Sequence, residues 1–459
     1  MARRSVSLSG LPDPAASALL VDLYELTMAQ SYFAEGVAER PATFSLFVRN
    51  LPFGWGYLVA AGLEHVLSYL DGFSFAETDL AFLEETGLFT AEFLERLEAV
   101  RFTGDVSAMR EGTPFFPQEP LLEVTAPIVE AQLVETAVLN RMHFASLIAA
   151  KAARSVDAAA GRSLVDFGLR RTHGAEAGVL AARSSYLAGF DATSNVLAGR
   201  KFGIPIAGTM AHSYVEAFGD ELAAFRAFAR AYPDRCVLLV DTYDTVEGAR
   251  RAAIVGRELA AQGFRLRGVR LDSGDLVELG KRVRKVLDEA GLADASIFAS
   301  GGLDERGIAE LLAAGAPIDG FGVGTKIGVS ADAPYLDMAY KLVSFDGRPT
   351  LKLSSTKETW PGQKQVWRVE GGGLFAHDVI GLAEEAPPDA AAPLLEPVMA
   401  GGRRLLDESL DAARERLAEQ RSRLSPELRR LDAGSYDVRF SAELRALRDR
   451  LAAEARRRR

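Results

Sequence analysis

The sequence predicts an α/β protein: an irregular (β/α) barrel with an α+β N-terminal domain that C-terminal strands complete. Between Ser163 and about Val329, seven apolar strand-like runs recur, and most are followed by a helical stretch. Continuous apolar runs alternating with amphipathic helices signal a parallel sheet covered on both faces, and this many repeats suit a barrel. Before Ser163 short strands stand among prolines, and after Val329 the strand-helix rhythm stops and strands return.

The 459 residues, 48% hydrophobic, can bury a large core and exceed one ordinary domain. Lys plus Arg total 53 against 63 Asp plus Glu, a net charge of −10, which argues against a general nucleic-acid or anionic-membrane surface, so any phosphate site must be local. No apolar run approaches the ~18 residues of a membrane span. The opening Met1-Ala2-Arg3-Arg4 has no apolar segment behind it, and a cytoplasmic enzyme is expected. Cys236, the only cysteine, sits beside an apolar run and reads as a small core residue. No Cys/His cluster has zinc spacing, and of the scattered His65, His143, His173 and His377 only His173 is kept as a further candidate.

In chain order, residues 1–18 read as a disordered N-terminus. Leu19–Phe33 reads as a helix with Asp22, Tyr24, Glu25 and Thr27 on its polar side, and Ala42–Arg49 alternates as a strand should. Three helical segments follow between Tyr57 and Arg101, then short strands at 104–109 and 121–125, then a long helix over 131–159. The seven barrel runs are 164–167, 187–190, 204–207, 237–240, 266–269, 297–299 and 318–323. Beyond them, 341–345, 350–353 and 365–369 read as strands, 384–398 as an Ala/Pro/Glu-rich linker, and 405–431 and 442–459 as charged helices, with Arg456–Arg459 a solvated end. The expected division is 1–18; 19–160 plus 335–383 for the α+β domain; 161–334 for the barrel; and 384–459 for linker and C-terminal helices.

Barrel enzymes build their sites from the C-terminal ends of strands, so the polar residues closing each run should converge. They are Gly168-Leu169-Arg170-Arg171, Asp191-Ala192-Thr193-Ser194-Asn195, Gly208-Thr209-Met210-Ala211-His212-Ser213, Asp241-Thr242-Tyr243-Asp244, Arg270-Leu271-Asp272-Ser273-Gly274-Asp275, Ser300-Gly301-Gly302 and Gly324-Thr325-Lys326. Ser213 and Glu216 have capping-box spacing, which starts a helix at about Tyr214 and puts His212 just ahead of the cap. An anion on that imidazole would meet unpaired N–H groups there, although a histidine can also simply solvate such a turn. Gly301-Gly302 and Gly322-Val323-Gly324-Thr325 can let backbone N–H groups approach a phosphate or can serve as turns and caps; two such clusters at the last strands favour a phosphorylated ligand. Arg270 offers a planar fork for a carboxylate or phosphate. Asp241, Asp244, Asp272 and Asp275 could hold hydroxyls or, through water, Mg²⁺, or could act as helix caps.

Taken in order, Asp22-Leu23-Tyr24-Glu25-Leu26-Thr27, Phe167 to Arg171, Gly189 to Asn195, Gly208 to Ser213, Gly268 to Asp275, Gly322 to Thr325 and Tyr340-Lys341-Leu342-Val343 resemble the nicotinate phosphoribosyltransferase family. The likeness spans about residues 20–370 and fades beyond about 385. It implies transfer of phosphoribose from 5-phosphoribosyl 1-pyrophosphate to nicotinate, with coupled, ligase-type ATP hydrolysis through a phosphorylated histidine, and it implies ATP and Mg²⁺ as cofactors. By the same resemblance His212 is the phosphohistidine, and Arg270 and Asp272 join it as catalytic residues. Thr209, Arg170 and Arg270 would hold nicotinate, with Ser213 among the substrate-binding residues. Tyr24 would stack on the pyridine ring from the neighbouring subunit of a homodimer with shared active sites. Gly301, Gly302, Gly324 and Thr325 would cradle the 5-phosphate, while Asp241 and Asp272 would face the ribose and the Mg²⁺-pyrophosphate, touching the metal through water.

Nicotinamide phosphoribosyltransferase shares this architecture but should prefer an acidic or neutral contact to its amide, whereas these arginines suit a carboxylate. A quinolinate phosphoribosyltransferase lacks the His212-type coupling. A phosphate-binding barrel lyase explains the glycines but not His212 with Arg270 and Tyr24. A nucleotide-binding sensor without catalysis is a further alternative.

Overall fold

The computed structural model describes residues 17–353 and 359–457. Of the residues 1–18 expected as disordered, 1–16 lie outside the described residues, as do the last two arginines of the tail, whereas Ser17 opens a turn by accepting from Leu20 N at 3.1 Å and Ala18 is buried. The chain divides into two compact units, one holding Leu147–Pro334 with Arg429–Ala433 and the other the remaining segments.

The unit formed by the chain's two ends is built on a seven-stranded sheet. Pro41–Val48 pairs antiparallel with Met338–Phe345 on one side and with Pro120–Pro127 on the other, so C-terminal strands do complete the N-terminal sheet. Asp105–Ala108 and Glu396–Ala400 continue it. The 384–398 stretch, expected as linker, therefore carries paired strands: Glu396–Ala400 lies between Asp105–Ala108 and Arg403–Arg404, and Ala391–Pro393 forms the edge of a separate four-stranded sheet, a position that tolerates its proline. No strand forms over 350–353; Thr350 bonds back to the Val343 carbonyl through its N–H and to that of Leu342 through its hydroxyl. The first helix is Leu23–Ala34, four residues shorter at its start than the apolar pattern suggests, with Asp22 as N-cap. The long helix is Glu135–Ala159, preceded by a separate turn of helix, Ile128–Leu133.

The buried cations Lys364 and Arg368 of this unit are paired, as burial requires. Lys364 Nζ stands 3.1 Å from Glu123 and donates to Ser45 Oγ at 2.9 Å. Arg368 donates to both Asp378 oxygens, Nε to Oδ1 at 3.0 Å and Nη2 to Oδ2 at 2.6 Å.

In the other unit six short strands form one parallel sheet: β1 (Ser163–Asp166), β2 (Ala192–Thr193), β3 (Val237–Leu239), β4 (Gly268–Leu271), β5 (Ser296–Ala299) and β6 (Gly320–Val323), in the order β2-β1-β6-β5-β4-β3. Their apolar residues, among them Leu164, Leu238, Val269, Ile297 and Phe321, are buried, which explains why the strands read as continuous apolar runs. Helices connect them: α1 (Ala175–Ala188), α2 (Val196–Phe202), α3 (His212–Phe218), α4 (Glu221–Ala231), α5 (Thr245–Ala261), α6 (Leu276–Glu289), α7 (Glu305–Ala313) and α8 (Thr325–Gly328). Asp220, Asp244, Asp275 and Asp304 cap α4 to α7 with their side chains. Asp244 and Asp275 thus hold backbone N–H groups. The helices pack closely: a Cβ on Gly248 of α5 would stand 2.1 Å from the Val240 carbonyl.

Two of the seven expected strands differ. Leu187 and Ala188 end α1, and Gly189 at φ +122° terminates it, so 187–190 is the tail of a buried helix, which a short apolar run cannot be told from. The 204–207 run meets β2 only through a bridge between Thr193 and Ile206. Pro205 has no N–H to extend a ladder, though its carbonyl accepts from Thr193 N at 3.0 Å. The barrel is therefore an open, irregular one with β2 and β3 at its edges.

Candidate active site

The loops at the C-terminal ends of the strands enclose a cavity of about 460 Å³ lined by residues that include Phe167, Arg170, Ser194, Thr209, His212 and Arg270, with Asp272 at its wall. Arg170, Thr209, His212, Arg270 and Asp272 thus meet in one place although they are spread over a hundred residues of chain.

Arg270 belongs to β4, between Leu239 of β3 and Phe298 of β5, so the sheet itself sets its position. Its guanidinium carbon lies 5.2 Å from the Phe167 ring centroid, which gives the cation an aromatic floor. Nε donates to Ser300 Oγ at 2.7 Å and Nη2 to Asp272 Oδ1 at 2.6 Å. Nη1 reaches only the long limit of bonding, 3.4 Å to Thr209 Oγ1 and 3.5 Å to the Met210 carbonyl. Burial opposes the charge on Asp272. The Ser300 hydroxyl, the Arg270 charge and hydrogen bond, and the nearby His212 outweigh that penalty and hold the carboxyl below its ordinary value.

His212 is the first residue of α3, whose N-cap is Ala211, with no side-chain cap. The capping box expected from Ser213 and Glu216 does not form: the helix starts at His212, two residues before the expected Tyr214, and Ser213 sits in its first turn, outside the cavity lining. What orients the imidazole is a tertiary contact, Nδ1 to Thr242 Oγ1 at 3.1 Å.

Asp241 lies behind the cavity wall. Its Oδ2 accepts from the Asp272 backbone N–H at 2.9 Å and from Ser273 Oγ at 2.6 Å, while its Oδ1 is buried without a hydrogen-bond partner. The glycines abut the lining rather than form it. A Cβ on Gly301 would come 2.0 Å from the Asp272 carbonyl, and one on Gly324 would come 2.6 Å from that of Phe167. Gly302 and Thr325 are exposed beside them, and Lys326 Nζ is held 2.9 Å from Asp304 Oδ2. Tyr24 belongs to the other unit, where it is exposed and its hydroxyl meets Glu135. His173 is exposed and outside the cavity lining.

Residues to which the sequence assigns no role complete the site. Asp166, at the end of β1, accepts from Gly168 N at 2.8 Å and from Thr193 Oγ1 at 2.7 Å, tying the Arg170 loop to the Ser194 loop. Phe167, Thr242 and Ser300 lie inside the strand-end clusters that the sequence points to but are given no role there, and each contacts a residue that is.

A family model described as the nicotinate phosphoribosyltransferase (NAPRTase) N-terminal domain matches residues 19–143, and one described as the NAPRTase family matches residues 162–359. The chain is 53% identical over 447 residues to nicotinate phosphoribosyltransferase pncB2 of Mycobacterium tuberculosis, covering 95% of each protein. It is 45% identical over 357 residues to the nicotinate phosphoribosyltransferase of Bacillus subtilis, 76% of this chain and 73% of that one. The crystal structure of human nicotinic acid phosphoribosyltransferase matches with a TM-score of 0.83 at 32% identity, covering 94% of this chain and 99% of that one.

Proposed function

The chain belongs to the nicotinate phosphoribosyltransferase family, and on that premise we propose how its cavity performs the reaction and where ATP enters. The activity joins nicotinate to the ribose of 5-phosphoribosyl 1-pyrophosphate, giving nicotinate mononucleotide and pyrophosphate, a step of NAD salvage. The observation that carries the assignment of roles is the convergence of Arg170, Thr209, His212, Arg270 and Asp272 on one cavity.

Arg270 receives the nicotinate carboxylate, with Thr209 and Arg170 beside it, and Phe167 supports the guanidinium from below. The pyridine nitrogen carries its own lone pair, so no general base is required. As that nitrogen closes on the anomeric carbon, the bond to the pyrophosphate oxygen breaks through an oxocarbenium-like state, and positioning does most of the work. Gly301, Gly302, Gly324 and Thr325 hold the 5-phosphate. The close packing of Gly301 and Gly324 against the cavity-lining loops supports this placement, because a side chain would push those loops apart.

Asp241 and Asp272 suit a hydrated Mg²⁺. Among the described residues no group of three or more His, Cys, Asp and Glu forms a cage, and Asp241 Oδ1 is a buried oxygen without a partner. Few carboxylates plus substrate phosphates is the set Mg²⁺ prefers. When bound, the ion offsets charge on the departing pyrophosphate.

His212 takes the phosphoryl group from ATP. With Nδ1 engaged by Thr242, Nε2 is the nitrogen left to attack the γ-phosphorus as ADP departs, and water later releases phosphate. Tyr24 is assigned to the pyridine face of the partner subunit in a homodimer; its exposure on the helix surface supports that role.

The test is a product assay with nicotinate or nicotinamide, each with and without ATP. A mononucleotide should form from nicotinate and not from nicotinamide, faster with ATP and with ADP released alongside. Equal use of nicotinamide would overturn the carboxylate assignment, and indifference to ATP would overturn the coupling.

A further inference from the structure

We propose that Ser300 is a positioning residue for nicotinate recognition: with Asp272 it holds one edge of the Arg270 guanidinium so that the other edge is presented to the carboxylate. Ser300 directly follows β5 and is 2% exposed, and its backbone N–H donates to the Leu271 carbonyl at 2.9 Å. Its hydroxyl is therefore placed by the sheet and not by a loose loop. That oxygen accepts from Arg270 Nε at 2.7 Å and donates to Asp272 Oδ1 at 2.5 Å, and the same Oδ1 accepts from Arg270 Nη2 at 2.6 Å. The three side chains close a ring that uses up the Nε/Nη2 edge. What remains is the Nη1/Nη2 edge, whose Nη1 is bonded only loosely to Thr209 and Met210.

The orientation matters because Asp272 already balances the charge of Arg270. Net charge at this point of the cavity discriminates poorly between nicotinate and nicotinamide. Two parallel N–H donors do discriminate: a carboxylate offers two acceptors, whereas an amide must turn an N–H toward one of the donors. Without the Ser300 hydroxyl, Nε becomes an unpaired donor on a side chain only 12% exposed. The guanidinium then turns to satisfy Nε, and the recognition edge turns with it.

Ser300's role rests on the assignment of Arg270 to the carboxylate, and steady-state kinetics on three variants separate the two. Ser300→Ala should raise the nicotinate KM about tenfold, the size expected for losing one hydrogen bond to a charged group. Its KM for 5-phosphoribosyl 1-pyrophosphate should change less, because Asp272 keeps its bond to Arg270 Nη2, and its preference for nicotinate over nicotinamide should fall. Ser300→Thr, which keeps the hydroxyl, should restore the nicotinate KM. An unchanged nicotinate KM in Ser300→Ala, or an equal rise in both substrate KM values as from a collapsed loop, overturns the proposal. If Ser300→Ala does not fold, Ser300→Cys keeps the volume with a much weaker acceptor and must show the same split between the two substrates. Arg270→Ala is run in parallel: if it leaves the nicotinate KM untouched, the Arg270 assignment falls and Ser300 with it, whereas a defective Arg270→Ala beside a normal Ser300→Ala removes Ser300 alone.

Discussion

Arg270 and Asp272, two residues apart, are joined at 2.6 Å from Nη2 to Oδ1, so the cation proposed to meet nicotinate carries a paired charge and a fixed direction. Geometry more than charge should then decide binding. Arg270→Ala should raise the nicotinate KM about a hundredfold, the loss expected for a two-point charge-assisted contact. Arg270→Lys should recover little of it, because an ammonium has no planar fork. Measured KM values for the two variants check this, and full recovery by lysine would argue for a simple charge effect.

The contact between His212 Nδ1 and Thr242 Oγ1 at 3.1 Å gives a second expectation. His212→Ala should abolish ADP release coupled to turnover while some ATP-independent synthesis survives. Thr242→Val, which frees the ring to rotate, should slow only the ATP-dependent part. Full ATP stimulation in His212→Ala would refute the phosphohistidine.

Gly301 is held at φ +98° with the Asp272 carbonyl where a Cβ would stand, 2.0 Å away. Gly301→Ala must shift that loop. It should lower stability by about 1–3 kcal/mol, as strained positions of this kind do. Urea midpoints and the KM for 5-phosphoribosyl 1-pyrophosphate, which should rise, read the two effects separately.

Glu25 supplies a pH dependence. Burial pushes its carboxyl up from 4.5 to about 7, against the hydrogen bond from Thr136 and with a further push from Glu135. The folded protein therefore holds this proton at pH values where the unfolded chain has lost it. Its contribution to stability is full below about pH 4.5 and is lost as pH rises through about 7. Glu25→Gln should flatten that decline, recovering up to about 3 kcal/mol at pH 8. Denaturation midpoints across the range check it, and parallel curves for the two proteins would count against the burial effect.

The helices and buried strands of the barrel are legible because their apolar periodicity is a local property. Val237–Leu239 and Gly320–Val323 lie within runs read directly from the sequence. The run at 187–190 misleads because a helix tail and a buried strand look alike over four residues. The Ser213 capping box misleads for a different reason: the start of α3 accompanies a side-chain contact from His212 to a loop thirty residues away, which no capping motif records.

The sequence by itself determined the α/β class, the strand-end polar clusters and, through their order, the family. Short-range pattern and residue chemistry suffice for those. Only the tertiary structure decided that β4 lies between β3 and β5, and hence that Arg270 meets Ser300 across thirty residues of chain and takes Phe167 as its floor. Such contacts depend on which strands share a ladder, and a parallel ladder joins segments whose separation no local pattern encodes.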